Sequence, residues 1–211
     1  ETGQVRMLTA AEVRGHLGEA ADAGSVGGAF LRDDLRVDPR EAVGTLAAWL
    51  AAQPDVELCW GTAFLGAEDG VARTSRGAIR AERVVLCVGH DLDHLLPEVA
   101  AAAEVERCGL QMALADPPAG LGIGPAVLTG TSMLRYPAFA ETAAAQALRT
   151  EMAATHPELV GIGANIMFTQ RPDGTLLVGD SHRYAATMDP FLDEATSRTL
   201  VEAVGRVLGV E

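Results

Sequence analysis

Ile79-Arg80-Ala81-Glu82-Arg83-Val84-Val85-Leu86-Cys87-Val88-Gly89 is the stretch on which the reading of this chain turns. Val84 to Val88 run without a polar break and stop at a glycine. A short continuous apolar run predicts a fully buried parallel strand, and Gly89 predicts a close backbone approach at its end. Working upstream, Arg76-Gly77 and Glu68-Asp69-Gly70 predict turns, with short strands between and beside them. Val56 to Phe64 reads as the strand before that meander. Asp38-Pro39-Arg40-Glu41 predicts a helix start: the aspartate caps, the proline takes the first turn, and the glutamate complements the dipole. Ala42, Val43, Leu46, Ala47 and Leu50 then have the spacing of a buried helix face. Thr9 and Glu12 form a capping box before a short helix reaching about Leu17. Ala29 to Leu31 is a short strand.

Downstream the texture changes. Glu104 to Ala115 reads as a long strand. Pro117 to Pro125 is a Gly/Pro loop, and Ala126 to Leu128 and Ser132 to Tyr136 read as strands. Glu141 to Thr155 is alanine-rich and helical, stopping before Pro157. Asn165 to Gln170 and Thr175 to Gly179 flank Arg171-Pro172-Asp173-Gly174, which predicts a hairpin. Asp193 to Leu208 is a final amphipathic helix.

Composition narrows the function. The chain has 211 residues, 48% hydrophobic and 21% charged, enough to build a packed core. Its formal net charge of -13 opposes binding to nucleic acid or to anionic membrane surfaces. No apolar run reaches the roughly 18 residues of a membrane span. The opening residues from Glu1 hold no basic-then-apolar leader, so no signal peptide is expected. All 16 basic residues are arginine, as a GC-rich genome would produce. A Walker loop, a kinase ATP lysine and a pyridoxal Schiff base all need lysine, so this stretch carries none of them. Cys59, Cys87 and Cys108 are odd in number and far apart. They predict buried, reduced thiols in a cytoplasmic protein rather than a disulfide framework. The five histidines show no HxH spacing; His90 and His94 stand four apart and read as parts of a capped helix start, so no metal site is expected.

Familiar catalytic motifs are scarce. No GxSxG elbow is present. Gly122-Ile123-Gly124 and Gly161-Ile162-Gly163 lack the strand-before, helix-after context of a dinucleotide loop, and both read as turns.

The order of elements from Asp38 to Gly89 resembles the middle of the FAD-dependent amine and amino-acid oxidase family, the group containing D-amino-acid oxidase, sarcosine oxidase and glycine oxidase. There a helix leads to a strand, a hairpin, and a "VV.A.G" strand. Cys108-Gly109-Leu110-Gln111-Met112, Ser132-Met133-Leu134-Arg135-Tyr136 and Asp173 to His182 extend the likeness over nearly the whole chain. They look like a clade linked to phosphonate degradation. The family opens with a strand, GxGxxG and helix that hold the FAD pyrophosphate, and closes with a glycine-rich segment over the flavin. Neither lies in these residues, so the chain reads as a fragment of a longer, bacterial-type flavoprotein, inactive by itself.

The resemblance implies roles for particular residues. Gly89, with Val88 before it and His90 after it, would lie along the dinucleotide, although a strand-ending turn explains Gly89 as well. Phe64 would flank the adenine, or else be an ordinary core phenylalanine. Arg135 and Tyr136 would clamp a carboxylate or phosphonate, since a guanidinium fork suits such an anion. A surface salt bridge is the competing account of Arg135, and only one of the two would face the pocket on a strand. Asp180 would pair with a substrate ammonium, or cap its own backbone in an Asx turn. His182 would orient the amine or modulate its protonation. Gln111 is a further pocket candidate.

The expected fold is α+β: a mixed-sheet substrate-binding domain with an incomplete piece of an α/β FAD-binding domain. Residues 1–37 form a lead-in, 38–90 the partial FAD segment and 91–211 the substrate domain. The implied reaction passes a hydride from the carbon beside an amine to FAD, and the imine formed hydrolyses. The implied substrate is a small amine, amino acid or aminophosphonate. Apolar surface bared by a missing domain predicts a homodimer. The competing reading is a non-catalytic α+β domain that binds a small anion through Arg135 without flavin.

Overall fold

The computed structural model describes residues 3–18, 21 and 25–210; Glu1 lies outside them. The chain divides into two compact units, one of residues 1–36 with 108–211 and a smaller one of residues 37–107. Residues 91–107 therefore group with the smaller unit, not with the sheet that follows them.

In the larger unit, β1 (Val5–Thr9) pairs antiparallel with β2 (Gly27–Leu31) around α1 (Ala10–Leu17). The capping box forms: Thr9 Oγ1 accepts from the Glu12 N–H, and the Thr9 N–H donates back to the Glu12 carboxylate at 2.8 Å.

The smaller unit holds α2 (Pro39–Ala51), capped by Asp38, and an antiparallel meander of β3 (Phe64–Glu68), β4 (Val71–Thr74) and β5 (Gly77–Arg80). A 3-10 turn (Gly89–Asp91), α3 (Leu92–Leu95) and α4 (Pro97–Ala102) follow. Three expectations fail here. Val84 to Val88 forms no strand, and Val85 is 81% exposed. A parallel strand exists only by pairing, and no described strand lies beside it. Val56 to Trp60 is likewise irregular, so β3 begins only at Phe64. The α2 face is real as a helix face, but Val43 and Leu46 are exposed and Ala42, Ala47 and Leu50 only half-buried. Periodicity reports which residues share a face, not what covers it. Cys59 and Cys87 sit in these irregular segments, and all three cysteines are free but exposed rather than buried.

The larger unit resumes with β6 (Arg107–Ala115), of which all but Arg107 belongs to it, and β7 (Val127–Leu128). Four helices come next: α5 (Gly130–Met133), α6 (Pro137–Ala140), α7 (Ala143–Thr155) and α8 (Pro157–Gly161). β8 (Met167–Gln170), β9 (Leu176–Ala185) and α9 (Glu194–Leu208) complete the unit. The four strands form one sheet in the order β6-β9-β8-β7. The hairpin expected around 171–174 is β8–β9, registered Phe168 to Val178 and Gln170 to Leu176. Ser132 to Tyr136 is not a strand. It is the end of α5 and the link to α6, where Pro137 at the first helical position favours a helix start over extension.

The core lies where α9 covers one sheet face. Leu200, Ala203, Val204 and Leu208 recur at helical spacing and pack with Phe168, Leu176 and Val178. Asp193 caps the helix by accepting from the Thr196 N–H at 2.8 Å, and Gly209 ends it in the left-handed conformation. No described helix is long and apolar enough to cross a membrane.

Leu200 is fully buried, so Leu200→Ala is expected to cost about 2–5 kcal/mol by lost transfer energy and a cavity. Leu192→Ala, at a residue 72% exposed, is expected to change stability by less than about 0.5 kcal/mol. Urea midpoints of the two variants check both.

Candidate functional site

β9 runs beyond its hairpin partner, and its far half carries the polar groups Asp180, Ser181, His182 and Tyr184. The backbones of Asn165 and Asp180 extend the ladder with paired bonds of 2.8 and 2.9 Å. That pairing carries Asp180 into the interior, where it is 6% exposed. Asn165 is itself buried and accepts at Oδ1 from the Ser132 hydroxyl at 2.6 Å. Thr131, one residue earlier, accepts the Ile166 N–H at 2.6 Å. The α5 turn is thus pinned to the sheet through side chains that pattern reading did not single out.

Arg135 follows that turn. Its guanidinium carbon lies 5.9 Å from the centre of the Tyr184 ring, a cation–π contact. The Tyr184 ring stacks with His182 at 6.5 Å. His182 Nδ1 lies 3.1 Å from the Gly163 carbonyl oxygen and 3.4 Å from Asp180 Oδ1. The second distance is too long for a hydrogen bond and makes an ion pair only when the ring is protonated, and Asp180 Oδ1 has no hydrogen-bond partner. Burial pushes the Asp180 carboxyl above the usual carboxylate range. The charges of His182 and Arg135 and a hydrogen bond from Asn165 pull the other way without cancelling it.

Of the residues singled out by sequence, Arg135, Asp180 and His182 come together here. Gln111 does not join them. Its amide donates to the Asp193 carbonyl at 2.5 Å and to Ser197 at 2.6 Å, and accepts the Asp193 N–H at 3.1 Å. It clips the start of α9 to β6. Tyr136 is exposed and marks the start of α6. Tyr184 was missed, although it follows His182 at the strand period of two. Gly163 left no such sign. It ends the turn after α8 at φ +58°, and a Cβ there would lie 3.0 Å from the His182 carbonyl oxygen. Only glycine allows that approach.

Phe64, Val88, Gly89 and His90 belong to the smaller unit. Phe64 opens β3, half-buried opposite Thr74. Val88 is half-buried, Gly89 turns at φ +56° with open space where a Cβ would stand, and His90 is exposed 3.5 Å from Asp91. A dinucleotide also needs a strand, glycine loop and helix N-terminus for its pyrophosphate. Among the described residues there is none, so these four residues by themselves do not make an FAD site. Asp91, Asp93 and His94 cluster nearby, but Asp93 is held by Arg107 through bonds of 2.6 and 3.1 Å. This is an ion-pair arrangement on an exposed surface and not a built metal site.

The mixture of helices with antiparallel sheets makes this an α+β fold, and Arg135, Asp180 and His182 form a charged cluster in it. A model of the DAO family, described as FAD dependent oxidoreductase, matches residues 1–210. The chain belongs to that family, whose chemistry depends on FAD. Two solved structures share its fold. Glycine oxidase from Geobacillus kaustophilus superposes with a TM-score of 0.62 at 16% identity, over 96% of this chain and 46% of its own. L-proline dehydrogenase from P. horikoshii gives 0.67 at 15% identity, over 97% and 48%. The chain thus spans about half the length of either. No curated protein matches it.

Because the folded-state pKa of Asp180 is raised, the folded protein keeps this proton to higher pH than the unfolded chain does. Its contribution favours folding most below the unfolded carboxylate pKa of about 3.9 and is lost as pH rises through the raised value. Asp180→Asn is expected to flatten that decline. Urea midpoints measured across the acid-to-neutral range check it; an unchanged slope would put the titration elsewhere.

Proposed function

We propose that this chain is the substrate-handling part of a longer FAD-dependent oxidoreductase that oxidises a carbon–nitrogen bond in a small amine carrying an anionic group. The observation that carries this is the convergence of Arg135, Asp180 and His182 on one end of β9 in a chain of the FAD-dependent family. FAD, when bound, supplies the electron acceptor. Arg135 offers a planar cation for a carboxylate or phosphonate, and a cation–π contact already orients it. His182 serves the amine end by proton exchange, and the Asp180 charge lies beside the ring. An amino acid and an aminophosphonate both have the required pairing of amine and anion. The homodimer and cytoplasmic placement read from the sequence belong to this proposal as well. Exposed apolar residues such as Val43, Leu46, Trp49 and Val85 support association with another surface.

The test uses the full-length protein with its flavin-binding half. Flavin bleaching without oxygen is followed with N-methyl amino acids, aminophosphonates and simple amines lacking an anion. Bleaching by an anionic amine is expected. Arg135→Ala is expected to raise KM for that substrate about 10- to 100-fold, the worth of a charge-assisted contact, while leaving anion-free amines nearly unaffected. Silence with all three classes would remove the amine assignment. Tight binding of a free anion with no flavin would favour the binding-module reading.

A further inference from the structure

His182 Nδ1 has two oxygens before it, the Gly163 carbonyl at 3.1 Å and Asp180 Oδ1 at 3.4 Å. A carbonyl oxygen has only lone pairs to offer. A bond at that distance therefore requires the hydrogen on Nδ1. Neutral imidazole carries a single N–H, so Nε2 keeps its lone pair. The ring has little freedom to exchange these roles. Its side chain is 6% exposed, and the His182 N–H donates to the Ile162 carbonyl at 3.0 Å. Gly163 lies close behind, where a Cβ would stand 3.0 Å from the His182 carbonyl oxygen on a backbone at φ +58°.

Asp180 completes the arrangement. Oδ1 is the one buried side-chain oxygen among the described residues without a hydrogen bond. An acceptor left in that state is unfavourable while the ring is neutral. It becomes favourable when positive charge develops on the ring 3.4 Å away. Tyr184 on β9 stacks with His182, and Arg135 after α5 acts on Asp180 while lying beside Tyr184 and Cys108 of β6. Of these, Arg135 opposes a charged ring, so Asp180 is the group that offsets it.

We propose that Nε2 of His182 is the proton acceptor of this site and takes a proton from the ammonium of the bound amine, with Gly163 and Asp180 as positioning residues that fix the tautomer. The N–H bond of the ammonium breaks and its electron pair stays on nitrogen. The proton forms a new bond at Nε2, and the product is the neutral amine that oxidation requires. No electrons are transferred in this step. The inference rests on the amine reading above and assigns to Asp180 a place behind His182.

Nitrogen-15 NMR of the imidazoles tests it directly, with His182 assigned by the signals lost in His182→Gln. The expected neutral form carries hydrogen on Nδ1 and none on Nε2, and Asp180→Ala is expected to turn this into a mixture of tautomers. A neutral ring protonated on Nε2 would overturn the proposal; an Asp180→Ala variant with an unmoved tautomer would overturn the positioning role of Asp180. With the flavin-loaded full-length protein, the acid limb of kcat/KM for an anionic amine should vanish in His182→Gln, with turnover down about 100- to 10,000-fold. Retention of the wild-type limb would overturn the base assignment while leaving the amine reading intact. Wild-type protein that oxidises no amine would remove the amine reading, and with it the proton transfer, while the NMR result would still decide the tautomer. Should His182→Gln unfold, His182→Asn keeps an amide within reach of Gly163 and serves the same comparison.

Discussion

The pairing of β8 with β9, continued by the backbone bonds between Asn165 and Asp180, is the constraint on which the larger unit depends. Its near half places Phe168, Leu176 and Val178 under α9 and so supplies the core. Its far half extends past the hairpin and holds Asp180 and Ser181 away from water. A strand that is apolar at one end and charged at the other works only if register is secure, because a slip of one residue would exchange the faces. The core secures it. Val178 and Leu200, both almost wholly inaccessible, fix the strand against the helix, and Asp180 and His182 inherit that rigidity.

Much of this frame was legible because its signals are local. Thr9 with Glu12, Asp38 before Pro39, and Asp193 before α9 each announce a helix start by chemistry confined to one turn. Pro172-Asp173-Gly174 does the same for the hairpin. The errors fall where structure depends on distant partners. Val84 to Val88 has the composition of a buried strand, but a ladder needs a second strand, and a run of five residues contains no information about one. Ser132 to Tyr136 is short and apolar, and such a run is compatible with either helix or strand until its neighbours act on it.

The site divides along the same line. Arg135, Asp180 and His182 stand out by chemistry, since ionisable groups beside apolar runs need a reason to be there. What joins them is non-local. Ser132 bonds Asn165 across the sheet, and the Gly163 carbonyl reaches His182 from the end of another helix. Gln111 shows the converse. It looked like a pocket residue by type and place, yet its amide is fully engaged in tying β6 to α9.

Both tryptophans of the sequence, Trp49 and Trp60, lie in the smaller unit, and they are 58% and 69% exposed. Tryptophan fluorescence of this chain therefore reports one unit and is blind to the α9 core. Its emission begins near that of solvated indole and has little room to redden on denaturation. A blue shift, by contrast, would signal that some surface has come to cover α2 or the segment before β3. The two indoles make the chain a sensor of its own contacts, while loss of the sheet and α9 would have to be followed through backbone absorption.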